Sequence, residues 1–156
     1  MSLKIDSKWD TSFFDQLEER TYRLDQVSVE YGYYDDKTHD ASGLPIGSLA
    51  LIQEYGSVKR NIPARPFVFY SVKLLNDKDI SAMRKGMIDY LFKRKDANSS
   101  FKPVGVTGVR TIQRSIMSQR FTPLAPSTVA KKGSSTILVE TSELLNSAEY
   151  KINEKS

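Results

Sequence analysis

Cysteine is absent from the 156 residues, and histidine occurs once, as His39. The first absence excludes disulfides, cysteine nucleophiles and thiolate metal sites. The second excludes metal sites built on several histidines, and it leaves a Ser–His–Asp arrangement one candidate base. No apolar run approaches the roughly 18 residues of a membrane span, and the opening MSLKIDSKWD lacks the apolar region of a signal peptide. The expectation is a soluble protein, made and used in a cytoplasm. Phosphate-cradling P-loops, the dinucleotide-binding glycine pattern, HExxH and GxSxG are also missing. An enzyme reading therefore has no positive support, and no cofactor is implied.

What is present fits one domain, residues 1–156. Apolar residues make up 39%, so the core must be economical. The net charge of +4 hides a division. Residues 1–79 carry ten basic and thirteen acidic side chains, residues 80–132 eleven and two, and residues 133–156 two and four. A basic centre between acidic flanks can attract a polyanion or an acidic protein surface, or can simply be a set of solvated helix faces.

Periodicity predicts a helix over residues 10–24, with Asp10 as N-cap and a Trp9–Phe14 staple. Alternation in QVSVEYGYY, residues 26–34, predicts a strand. Residues 46–55 read as a short helix stopped by Gly56. The two prolines of NIPARPF imply a rigid, extended connection, and FVFYSVKLL fits strand or helix equally. Residues 77–95 read as a helix with an Asn76/Asp79 capping box and an apolar stripe of Ile80, Met83, Met87 and Leu91. Residues 35–45 and 96–103 read as flexible loops. Flexibility is the expectation at Gly105 and Gly108 too, although an anion on a following helix N-terminus is a second use. Val109, Ile112 and Ile116 mark a further helix, with Arg110 and Arg114 on another face. A turn from Pro126, a short helix holding Leu144 and Leu145 capped by Thr141, and a final strand through Ala148, Tyr150 and Ile152 close the chain. That strand is expected to pair with residues 26–34. The fold class is α+β: a small, mostly antiparallel sheet with helices packed on one face and long loops.

Asp35, Asp36, His39 and Asp40 form a candidate acid–base or metal cluster, and a hydrolase using Asp35, Asp36 and His39 is one hypothesis. The spacing matches no calcium loop, and a solvated hairpin loop explains it fully. The remaining marked segments are turn-rich and charged beside hydrophobic anchors, which suits joints between subunits.

Those segments carry a resemblance. Ile52-Gln53-Glu54-Tyr55-Gly56 followed by Ile62-Pro63-Ala64-Arg65-Pro66-Phe67 resembles the "I-x-E-[FY]-G … IPARPF" signature of neck and tail-completion proteins of tailed bacteriophages. Pro123-Leu124-Ala125-Pro126-Ser127-Thr128, Lys131-Lys132-Gly133 and Leu138-Val139-Glu140-Thr141 with Leu144-Leu145-Asn146-Ser147 resemble its second half, "PL-x-x-ST-x-x-[RK]KG … L-x-[DE]T-G-x-L-x-x-S". The likeness runs from about residue 26 to residue 153. Ser142 departs from it, standing where the family has glycine after the threonine.

The resemblance implies a non-enzymatic virion protein, assembled in the host cytoplasm. It would complete or cap the tail tube at the head–tail junction as a homo-oligomeric ring, with six copies favoured. Tail-tube and head-connector proteins are the implied partners. A closed ring needs two different complementary patches on each subunit. Glu54, Tyr55, Gly56, Pro63, Arg65, Pro66, Phe67, Ser127, Lys131, Lys132, Leu144 and Leu145 are the implied interface residues. Arg110, Arg114, Lys131 and Lys132 are candidates to face packaged DNA, with weak, sequence-independent contacts. The alternative function is a small non-specific DNA-binding module using the basic residues 80–132.

Overall fold

The computed structural model describes residues 11–40, 42–118, 120–133 and 143–154. The expected Asp10 cap, the Trp9 staple, the Thr141 cap and the segment 138–142 lie outside these residues. The element order is α1 (Ser12–Leu24), β1 (Val27–Gly32), α2 (Ile46–Tyr55), α3 (Phe67–Lys73), α4 (Asp77–Phe92), α5 (Ala97–Met117), α6 (Pro126–Lys132), α7 (Glu143–Asn146) and β2 (Glu149–Glu154).

The two strands pair antiparallel from Val27↔Glu154 to Gly32↔Glu149, joining the two ends of the chain. A lone hairpin-sized sheet is marginal in water, so it needs a covering layer. Helix α5 supplies that layer. Alternation places Val27, Val29 and Ile152 against a cluster of Tyr90, Ala97 and Phe101, while a second cluster gathers Ile46, Ala50, Phe67, Ile112, Ile116, Leu144 and Ala148.

The stretch 96–103, expected as a loop, is instead the opening of α5, and residues 105–108 continue it. Asp96 caps the helix by accepting the Ser99 N–H at 2.8 Å, and Ala97, Ser100 and Phe101 are buried. Glycine costs a helix about 1 kcal/mol and an internal proline, here Pro103, about 3. Packing offsets both. A Cβ on Gly105 would overlap the Tyr150 ring, and one on Gly108 would overlap the Tyr31 ring. Tyr31 and Tyr150 are cross-strand partners, so the two missing side chains let the helix backbone sit directly on one aromatic pair.

This reverses an ordinary expectation. Gly108→Ala should gain about 1 kcal/mol of helix propensity, yet the overlap falls on ring atoms near the root of Tyr31, which has little room to give. Overpacking of this kind costs about 1–3 kcal/mol. The net expectation is a loss of up to about 2 kcal/mol in urea denaturation, and a midpoint above that of the parent would contradict the packing.

In α4 the capping box forms as expected: Asn76 Oδ1 accepts the N–H groups of Lys78 and Asp79 at 3.0 and 3.1 Å, and Asp79 accepts that of Asn76 at 3.1 Å. The expected apolar stripe divides: Met83 and Leu91 are half-buried, Leu91 against the Tyr90, Ala97 and Phe101 cluster, while Ile80 and Met87 face outward. The protomer buries Asp79, Gly86, Asp89 and Tyr90, and it leaves Ile80, Met87 and Ile88 47%, 47% and 44% exposed. Gly86 decides this, because its missing Cβ lets the Ser100 carbonyl of α5 approach the α4 backbone.

Candidate subunit interface

The segment IQEYG ends α2, and Gly56 (φ 75°) turns the chain. A Cβ there would stand 2.7 Å from both Ala64 N and Ile62 O, so a side chain is sterically excluded. Ser57 and Ile62 then exchange backbone hydrogen bonds of 2.8 and 2.9 Å. This closes a tight hairpin around a 3-10 turn at Val58–Arg60.

IPARPF returns along α2. The Arg65 N–H donates to Gln53 O at 2.8 Å. Its guanidinium, buried, donates to Gln53 Oε1 at 2.9 Å and to Thr122 O at 3.3 Å. Burial pulls the Arg65 pKa down from its ordinary value. The connection is not extended throughout. Pro66 sits at φ −75°, ψ 65°, and the Phe67 N–H reaches back to Arg65 O at 2.7 Å. That is an inverse γ-turn, to which the proline ring is preset. The turn drops Phe67 into the core and starts α3, settling FVFYSVKLL as helix.

Glu54 completes the unit. Buried at the end of α2, its carboxylate accepts the N–H groups of Val68 at 2.8 Å and Phe69 at 3.0 Å. It satisfies two orphan donors of α3 and places a negative charge on the positive end of the helix dipole. The Tyr33 ring meets Phe67 edge-on at 5.8 Å. Burial and the Glu54 charge push the Tyr33 hydroxyl well above its ordinary pKa.

The residues inferred for the interface thus divide. Glu54, Arg65 and Phe67 are interior props, and Gly56 and Pro66 are half-buried turn residues. Tyr55 and Pro63 are exposed. With Val58, Ala64, Pro123 and Ala125 they line a shallow concavity of about 540 Å³. Pro123 and Ala125 come from the second half of the resemblance, so the fold brings its two halves to one shelf. Ser127 is exposed at the start of α6, while Leu144 is buried in the core and Leu145 packs against it, away from this shelf. The side chains of Lys131 and Lys132 lie outside the described part.

Val58 was not singled out from the sequence, and Ala64, Pro123 and Ala125 stood within the resemblance without being named as interface residues. Val58 carries no periodic signal; its complete exposure follows from the hairpin that Gly56 permits.

The basic centre is partly consumed inside the protomer. Arg114 pairs with Asp79 at 2.9 Å. Asp89 takes Lys93 at 2.7 Å and Lys95 at 2.8 Å, and these ammonium groups hold its pKa down at about 2. Arg110 stays exposed beside a second concavity lined by Val109, Gln113 and Glu149.

The aspartate–histidine loop disperses. Asp35 accepts the Ser48 N–H at 2.9 Å and so caps α2. His39 faces Glu143 (Nε2–Oε2 3.5 Å), and its Nδ1 lies 2.8 Å from Ser42 Oγ. Nδ1 also accepts the Ser42 N–H at 3.2 Å, and Glu143 accepts the Asp40 N–H at 3.2 Å. These are the contacts of a turn clasped to α7. Among the described residues, no three His, Asp or Glu side chains gather as metal ligands.

Comparison with family models, with curated proteins and with solved structures returns no match for this chain.

Proposed function

We propose that this chain is a structural subunit of the head–tail joint of a tailed bacteriophage, working by ring assembly around or upon the tail tube. The observation that supports the reading most is the shelf. The two segments bearing the resemblance lie far apart in sequence, yet they meet in one exposed concavity where Tyr55, Val58, Pro63, Ala64, Pro123 and Ala125 stand beside the polar Ser57 and Asn61. Its backbone is fixed from beneath by Glu54, Arg65 and Phe67. Rigid, largely apolar surface of this kind marks a docking face, and a preset backbone lowers the ordering cost of association.

Tail-tube and head-connector proteins are the partners under this reading, with passing DNA as a weak contact at Arg110. The DNA-binding alternative has less support. Arg114, Lys93 and Lys95 are engaged by carboxylates of their own chain, which leaves fewer cations for phosphate. Negative-stain electron microscopy of the purified protein, and of virions carrying it, tests the proposal. Closed rings, or density for the chain at the neck, is the expected result; neither rings nor neck density would overturn it.

A further inference from the structure

Helix α1 is amphipathic, yet the protomer buries none of its residues. Its inner face is half-covered through Leu17, Arg20 and Leu24. Arg20 fixes it to the end of α4, donating to Tyr90 O at 2.6 Å and to Lys95 O at 2.5 Å, with its guanidinium 4.5 Å above the Tyr90 ring. The opposite face carries Phe14 and Tyr22, 66% and 73% exposed. Helical spacing sets Glu18 midway between them, with Asp15 beside it. Among the described residues, this acidic, aromatic stripe stays exposed.

Helix α4 carries the counterpart. Ile80, Met87 and Ile88 form an outward apolar strip, with Arg84 on its axis and Lys85 at its margin. Among the described residues, neither cation makes an ion pair, and neither do Asp15 and Glu18. The two stripes match in chemistry: acidic and aromatic against basic and aliphatic. They cannot meet within one chain, because α1 spends its inner face on its own α4 and points the acidic stripe away.

We propose that the outer face of α1 docks on the outward strip of α4 in a second copy of this chain. Phe14 and Tyr22 pack on Ile80, Met87 and Ile88, and Asp15 and Glu18 face Arg84 and Lys85. The two patches differ, so the contact is heterologous. Each copy gives one patch and receives the other, so the contact propagates from copy to copy and forms a ring where the rotation between neighbours closes. The inference rests on the ring reading and specifies which surfaces join neighbouring subunits. It leaves the Tyr55–Pro63 shelf for a different partner.

Reversal of charge tests the contact in the full-length chain, followed by sedimentation equilibrium at about 50 mM salt, where screening is weak. One variant combines Asp15→Lys with Glu18→Lys, and the other combines Arg84→Glu with Lys85→Glu. All four positions are exposed, so a matching thermal melt serves as the folding control. Each variant alone is expected to associate at least about tenfold more weakly, since like charges then face each other. The four-fold variant, or an equal mixture of the two, is expected to recover to within about threefold. Rings that persist through both reversals would overturn this contact and leave the ring reading standing. Loss without recovery would also overturn the contact. A parent chain that stays monomeric at every concentration would overturn the ring reading, and this contact with it.

Discussion

Phe67→Ala is expected to remove about 3–5 kcal/mol of stability, the range for truncating a fully buried aromatic ring. Phe67 has no exposed surface. Its ring packs with Ile46, Ala50, Ile112 and Ile116, and it meets Tyr33 edge-on. Alanine would forfeit those contacts and leave a cavity that cannot readily collapse. The Pro66 turn and the Glu54 bonds fix the backbone on either side. For a chain of this length each kcal/mol lowers the melting temperature by about 2–4 °C, so a fall of about 6–20 °C should appear by calorimetry. Phe67→Leu keeps most of the volume and should cost far less. Equal losses in the two variants would show that ring shape is unimportant there and contradict the packing.

Glu54→Ala is expected to cost about 3 kcal/mol by a different route. The carboxylate accepts two hydrogen bonds from the first turn of α3. Bonds to a charged group contribute about 1.5–3 kcal/mol each, and losing one partner leaves a buried donor unsatisfied. Alanine would strand the N–H groups of Val68 and Phe69 together and remove the negative charge from the helix N-terminus. Glu54→Gln keeps an acceptor oxygen but turns an NH2 donor toward a second donor, so its loss should be about half as large. Urea denaturation measures the total, and amide exchange at Val68 and Phe69 locates it. Unchanged exchange there would remove Glu54 from its capping role. Glu54 and Phe67 brace the same turn, so their losses should not add.

Local signals were sufficient wherever the cause of an element lies within a few residues of it. The Asn76/Asp79 capping box, the stop at Gly56 and the alternation of residues 26–34 all act across one turn or one strand. Each appears where the spacing placed it, and the resulting α+β fold matches its reading. Glycine and proline misled the reading of residues 96–108 because their local meaning is flexibility. Their actual use is set by Tyr31 and Tyr150, far away in sequence, whose rings occupy the space the glycines leave. Half of the apolar stripe of α4, Ile80 and Met87, misled for a related reason, while Met83 and Leu91 do turn toward the chain's own interior. Periodicity reveals that a helix has an apolar face, but not whether the same chain or another one covers it.

The candidate site divides along the same line. IQEYG and IPARPF were legible as a marked pair, because prolines and a turn glycine constrain their own backbone wherever they stand. Their division of labour was not. Glu54 was an implied interface residue and is buried under α3, since a helix N-terminus arriving from residue 67 offers its carboxylate two donors. Arg65 looked like an interface cation and is spent on Gln53 and Thr122. By itself, then, the sequence determined the elements whose periodicity, cap or stop lies within a few residues, such as the Asn76/Asp79 box, the Gly56 stop and the strand within residues 26–34, because these depend on neighbouring residues. Only the tertiary structure decided which charged and apolar groups are consumed inside the chain and which stay exposed, because that depends on segments the chain brings together from a distance.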